Sequence, residues 1–269
     1  ATVEGLSQEV GLNICVNGNA ETQFDPQCSN ILLLLESPAV VKDRGWVDPN
    51  LEYDAEISFE HMSSAPTHLF CHDLYINYDA FVEFRPQQTL QKNELVSMIY
   101  SFKSHLPGQA LRHEIAARFG AEVDLFGTGY DGQFVDKRDS LDEYMFQVVV
   151  ENGLYPHYVS EKLFDCIKTR TIPIYRGGVL GVENLGFDTN GIISFETLDE
   201  LEHILANLSK SRYVELSDYV DHNFQHLHKL RTDTRLEYYY NQARLGYMNT
   251  PGSYFDRDYS QLNIHPPDE

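Results

Sequence analysis

The sequence predicts an α/β protein built on parallel sheet, and three observations carry that expectation. From Leu95 onward, short apolar runs alternate with helix-patterned stretches, as in βαβ units. The runs are almost continuously apolar, which suits strands buried on both faces. Turn-forming residues then close them, as at Glu36-Ser37-Pro38 and Gly127-Thr128-Gly129-Tyr130-Asp131-Gly132.

In chain order, the first third is irregular. An apolar stretch at 12–16 precedes a polar loop, and 31–35 reads as a buried strand bounded by Asn30 and Glu36-Ser37-Pro38. Segments 55–59 and 68–71 are weaker strand candidates. Pro86 and the polar stretch 87–94 read as a connection between domains. Beyond it, 95–100 is a strand, 108–119 a helix, and 123–126 a strand entering the glycine-rich turn. The strand 146–150 is apolar apart from Gln147. A helix at 160–168, strands at 171–175 and 191–195, and a helix at 198–208 follow. Residues 214–230 read as one long helix and 235–247 as a tyrosine-rich second one. After Thr250-Pro251-Gly252 no regular structure is expected. A parallel sheet covered on both faces binds ligands beyond the carboxyl ends of its strands, so the chemistry is expected there.

Bulk properties narrow the partners. An apolar content of 42% over 269 residues fits a globular chain. No run of about 18 apolar residues is present, so no membrane span is expected. A net charge of −21 argues against non-specific binding to nucleic acid or anionic membranes, since both need clustered Lys and Arg. It also requires that any phosphate ligand be met by a few cations gathered locally. Cys15, Cys28, Cys71 and Cys166 form no CxxC pair and read as buried free thiols of a reducing compartment, hence a soluble, cytoplasmic protein. Ala1 in place of Met leaves a removed amino-terminal anchor or signal open.

Polar residues suited to chemistry concentrate after the strand 146–150. It delivers Glu151 and Asn152 at its carboxyl end, and Tyr155 and Tyr158-Val159-Ser160-Glu161-Lys162-Leu163 follow. Ser160 can cap a helix whose first turn carries Glu161 and Lys162. The free N–H groups and partial positive charge of a helix start suit a diphosphate. Lys162 adds a full cation, and Glu161 can accept hydrogen bonds from ribose hydroxyls. The same string also fits an ordinary capped helix with a solvent ion pair. The next strand runs into Arg176-Gly177-Gly178, where paired glycines permit close approach to a ligand or simply make a turn. Asp256-Arg257-Asp258 has the Asp-x-Asp form of a metal holder but lies in a Pro/Gly-flanked tail. His222 and His226, four apart on a helix, lack a third ligand, so no metal site is expected.

Taken together, Tyr144-Met145-Phe146, Glu151-Asn152, Tyr158-Val159-Ser160-Glu161-Lys162 and Ile172-Pro173-Ile174-Tyr175-Arg176-Gly177 resemble the donor-site signature of the α-1,3-fucosyltransferase family. Ser101, Arg112 and Val123-Asp124-Leu125-Phe126-Gly127 are similar to a second block of that family. Leu35-Glu36-Ser37-Pro38 resembles its acceptor-side motif. The chain departs from the family at Phe102, where Asn is usual, and at Met145, where Lys or Arg is usual. Ser160 replaces Thr, and either hydroxyl caps a helix.

The resemblance implies a GT-B type fold, two Rossmann-like domains facing a cleft, the amino-terminal one smaller and less regular. Residues 1–92 would form the acceptor-side domain and 93–232 the nucleotide-sugar domain. Residues 233–269 would form a helix and tail able to pack back on the first domain. The implied reaction is inverting transfer from a GDP-sugar, GDP-fucose first, to a hydroxyl of a glycan acceptor, with no cofactor required and no divalent cation indicated. Arg112 and Lys162 would hold the diphosphate and Glu161 the ribose or sugar. Glu151, Asn152, Tyr158, Ser160, Arg176 and Gly177 would complete the donor site. Glu36, read as ending a buried strand, would be the general base. An inverting transfer needs one base on the acceptor side while the diphosphate leaves from the opposite face. Cations and a helix start can stabilise that leaving group. A different nucleotide sugar on the same fold, or a non-catalytic sugar- or nucleotide-binding protein, are the alternatives.

Overall fold

The structure, a computed structural model, describes residues 11–17, 27–66, 68–70, 82, 84, 91–132 and 136–230. The expected features at residues 87–90, Cys71, 235–247 and Asp256-Arg257-Asp258 lie outside the described residues. The chain forms two parallel sheets. Strands β1 (Gly11–Val16), β2 (Cys28–Leu33), β3 (Ala55–Ser58) and β4 (His68–Phe70) make the first, in that order. Strands β5 (Glu94–Ile99), β6 (Asp124–Phe126), β7 (Tyr144–Val150), β8 (Ile172–Arg176) and β9 (Ile193–Ser194) make the second, in the order β6-β5-β7-β8-β9. All its pairings are parallel, as the apolar runs predict.

The centre of the second sheet is β7, whose seven residues are all buried. Its side chains alternate between faces, with Phe146, Val148 and Val150 in one apolar cluster and Val149 in another. Helices α2 (Pro107–Phe119) and α5 (Leu198–Ala206) cover the first face through Ile115, Phe119 and Leu201. Helices α3 (Glu161–Lys168) and α4 (Val179–Asn184) cover the other through Leu163, Phe164, Ile167 and Val182. The order reverses at β5, whose neighbours β6 and β7 both follow it in sequence. Such a reversal opens a crevice at the strands' carboxyl ends.

Four expectations change. The strand at 31–35 is Cys28–Leu33, so Glu36 stands three residues beyond its end rather than closing it. Leu34 still donates to the Ile57 carbonyl (2.9 Å), but Leu35 donates to the Asn17 side chain (2.8 Å). Helix α1 (Pro38–Arg44) then begins, with the Ser37 hydroxyl accepting from Val40 N–H and Gly45 closing it at φ 62°. Ser37-Pro38, read as a strand boundary, is thus also a helix start. The strand at 191–195 shrinks to β9 because Asp188 caps a single helical turn at Thr189–Gly191. The long helix at 214–230 is two, α6 (Lys210–Glu215), capped by Ser209, and α7 (Ser217–Leu230). Leu216 is buried at the break, and the Ser217 hydroxyl donates to the Val214 carbonyl.

Candidate functional site

The carboxyl end of β7 organises the site. Glu151 is 1% exposed, yet its carboxylate is surrounded by donors. Ser160 donates its N–H (3.0 Å) and has its hydroxyl 2.7 and 2.9 Å from the two carboxylate oxygens. Lys162 Nζ lies at 3.3 Å and the Tyr175 hydroxyl at 3.4 Å. A buried carboxylate without such donors would be costly. Glu151 therefore fixes the amino end of α3 against β7.

Ser160 caps α3, its oxygen accepting from Lys162 N–H (3.4 Å) and Lys162 Nζ (2.9 Å). The Lys162 ammonium thus lies over the helix start, between Glu151 and Glu161. Burial pushes the Glu161 pKa up, but Lys162 and Lys137 outweigh it and bring the group down to about 2. Glu161 is ionised at neutral pH.

Arg112 reaches the same place from α2. Its Nη2 donates to Asn152 Oδ1 (2.6 Å), while Nε is buried with no partner among the described residues. Desolvation draws the guanidinium pKa down against the pull of Glu151, Tyr158 and Glu161, and an Arg stays charged even so. A buried cation with an unused donor calls for an anionic acceptor. The start of α2 is held to the β7 loop by Gly108, whose N–H donates to the Asn152 carbonyl (3.1 Å). A Cβ at Gly108 would stand 1.7 Å from the Glu151 carbonyl oxygen, so only glycine allows that approach.

The remaining expected residues make contacts within the protein. Gly177 and Gly178 serve close packing, since a Cβ would meet the Tyr175 hydroxyl at 2.2 Å or the Tyr158 carbonyl at 2.5 Å. Tyr158 is 1% exposed and packs edge-on against Phe59 beside the first sheet (4.8 Å between centroids). Burial, with Glu151, Glu161 and Glu36, keeps its phenol protonated. Arg176 Nε donates to the Glu196 carbonyl (3.1 Å).

A cavity of about 220 Å³ is lined among others by Tyr100, Ser101, Arg112, Lys137, Glu161 and Lys162. Three cations face it in a chain of net charge −21. Lys137 was not expected from the sequence. It starts a single helical turn, Lys137–Ser140, and its Nζ lies 2.8 Å from Asp165 and 3.7 Å from Glu161. No motif marks it; the one available signal is a cation preceding a strand whose following helix opens with acids at Glu161 and Asp165.

Glu36 approaches from the first sheet. It is half-buried, and its pKa is raised by burial, and by Glu161 and Glu151, against the pull of Lys162 and Lys103. A strand-end loop of one sheet and a helix start of the other thus share one electrostatic neighbourhood. Among the described residues no cluster of three or more His, Cys, Asp or Glu side chains could hold a metal ion. His226 Nε2 lies 2.6 Å from the Leu185 carbonyl, with its ring stacked on His222. No helix among the described residues is long and apolar enough to cross a membrane.

Residues 90–220 match the model of the glycosyltransferase family 10 (fucosyltransferase) C-terminal domain. A crystal structure of an alpha1,3-fucosyltransferase with GDP is 16% identical, with 87% of this chain and 94% of that chain covered and a TM-score of 0.51. The crystal structure of TarM is 10% identical over 86% of this chain and 54% of its own, with a TM-score of 0.54. An alpha1,3-fucosyltransferase with GDP-fucose aligns over 87% of this chain and 95% of that one, at 17% identity and a TM-score of 0.48. No curated protein matches the chain. The likeness to the first two is one of fold, the α/β GT-B type.

Proposed function

We propose that the chain, whose residues 90–220 match the glycosyltransferase family 10 (fucosyltransferase) C-terminal model, transfers fucose from GDP-fucose, with inversion, to a hydroxyl of a glycan acceptor. The observation that carries this reading is the gathering of Arg112 and Lys162 on one cavity at the start of α3, in an otherwise acidic chain. Arg112 has a buried N–H with no partner among the described residues, and Lys162 lies over the helix start, where an anion is favoured. Residues 93–232 then hold the donor, and residues 1–92 the acceptor.

The chemistry follows from these positions. The acceptor oxygen bonds to the anomeric carbon as the bond from that carbon to the diphosphate oxygen breaks. The bonding pair leaves with GDP. Arg112 forks onto the diphosphate and Lys162 acts as a point charge, so the growing negative charge meets cations already in place. Ionised Glu161 accepts hydrogen bonds from donor hydroxyls. Glu36 takes the acceptor proton, and its raised pKa suits a base that must hold that proton afterwards.

A transfer assay with a panel of glycan acceptors, run beside GDP calorimetry, tests the proposal. Glu36→Gln is expected to lower turnover by about 10²-fold or more while GDP affinity stays near wild type. Turnover by the variant at the wild-type rate would remove Glu36 from the mechanism.

A further inference from the structure

We infer that Lys137 is a positioning residue of the donor site, bridging Glu161 and Asp165 so that the Glu161 carboxylate stays aligned toward the cavity as a hydroxyl acceptor. This rests on the donor reading above and adds a residue that no motif marks.

The geometry is specific. Glu161 and Asp165 are four residues apart on α3, so they lie on one face a single turn from each other. Lys137 comes from a separate segment and spans both, at 3.7 Å from Glu161 Oε1 and 2.8 Å from Asp165 Oδ2. Its side chain is 23% exposed and that of Asp165 3%, so this pair is sheltered rather than a solvent-screened one. Asp165 also lies 4.0 Å from the fully buried Lys168. The closer bond to Asp165 anchors the ammonium, and the longer one leaves a Glu161 oxygen able to accept from a ligand.

Charges around Glu161 show why the anchor matters. Asp165 on its own helix, Glu151 at the end of β7, Glu36 from the first sheet and the Tyr158 phenol face this neighbourhood, and ionised acids there disfavour a further carboxylate. Lys162 and Lys137 oppose them, with Arg112 adding attraction from α2. Burial favours the neutral acid. Lys162 is shared with Glu151 and Ser160. Removing Lys137 therefore takes away the one ammonium within 4 Å of Glu161, among the described residues, that is not also bonded to Glu151. The Glu161 pKa then rises, and the protonated acid loses an acceptor site for donor hydroxyls.

The test is the dissociation constant of GDP-fucose from about pH 5 to about pH 8, a range in which a diphosphate esterified at both ends does not titrate. Wild type should bind with nearly constant affinity across the range. Lys137→Met, and Lys137→Gln as a milder neutral replacement, should bind about threefold more weakly than wild type at the upper end, where only the alignment of Glu161 is lost, and weaken further toward the lower end as Glu161 takes up a proton more readily. Lys137→Arg should restore the flat profile. Neutral variants as flat as wild type, or weakened equally at every pH, would overturn the inference and leave the donor reading standing. Wild type that does not bind GDP-fucose would overturn both.

Discussion

Glu36 shows what single side chains contribute. Three residues past its strand and half-buried, it is raised in pKa mainly by loss of water, with Glu161 and Glu151 adding to the rise. With Glu36 as the proposed base the sign is fixed, because a base works only when deprotonated: transfer is expected to fall as pH drops through the Glu36 pKa. The acid limb of kcat/KM is expected above the ordinary glutamate value of about 4.3. A limb at or below that value would argue that another group accepts the proton. Which residues were legible follows from distance along the chain. Glu161 and Lys162 are adjacent and sit behind a capping serine, so local pattern exposes them. Lys137 meets Asp165 across 28 residues, and nothing local records that contact. Arg176 and Gly177 sit in a recognisable string, yet the first donates to Glu196 and the second packs against Tyr175.

Helix α3 is the element on which the site depends, and Ser160 carries its entry. That hydroxyl accepts from Lys162 and lies against both oxygens of Glu151, so it serves helix and strand together. Ser160→Ala should destabilise the fold by about 1–3 kcal/mol, combining a lost cap with a buried carboxylate short of a donor. Ser160→Thr should retain most of the lost stability. Denaturant midpoints measure both, and an Ala variant as stable as wild type would contradict the role given to Glu151. Elements buried on both faces, such as β7, were readable from composition alone. The helix at Pro38–Arg44 was not, because its capping serine and proline also read as a strand boundary. The break at Leu216 was hidden because Tyr213, Leu216 and Val220 keep a three-and-four apolar spacing through it.

At the scale of the whole molecule, two parallel sheets converge on one neighbourhood. Glu36 and Phe59 reach it from beside the first, and Glu151, Tyr158 and α3 from the second. Parallel pairing sends the strand ends, and the loops that carry chemistry, to one edge of each sheet. The net charge of −21 makes the local clustering of cations the feature that sets the ligand class. That clustering was expected in principle from the charge, while its third member emerged only from the fold. Calorimetric titration of GDP into wild type and Lys162→Ala tests this most directly. A saturable single site is expected in wild type and at least about tenfold weaker binding in the variant. Equal affinity in the two proteins, or no GDP binding by wild type, would contradict it.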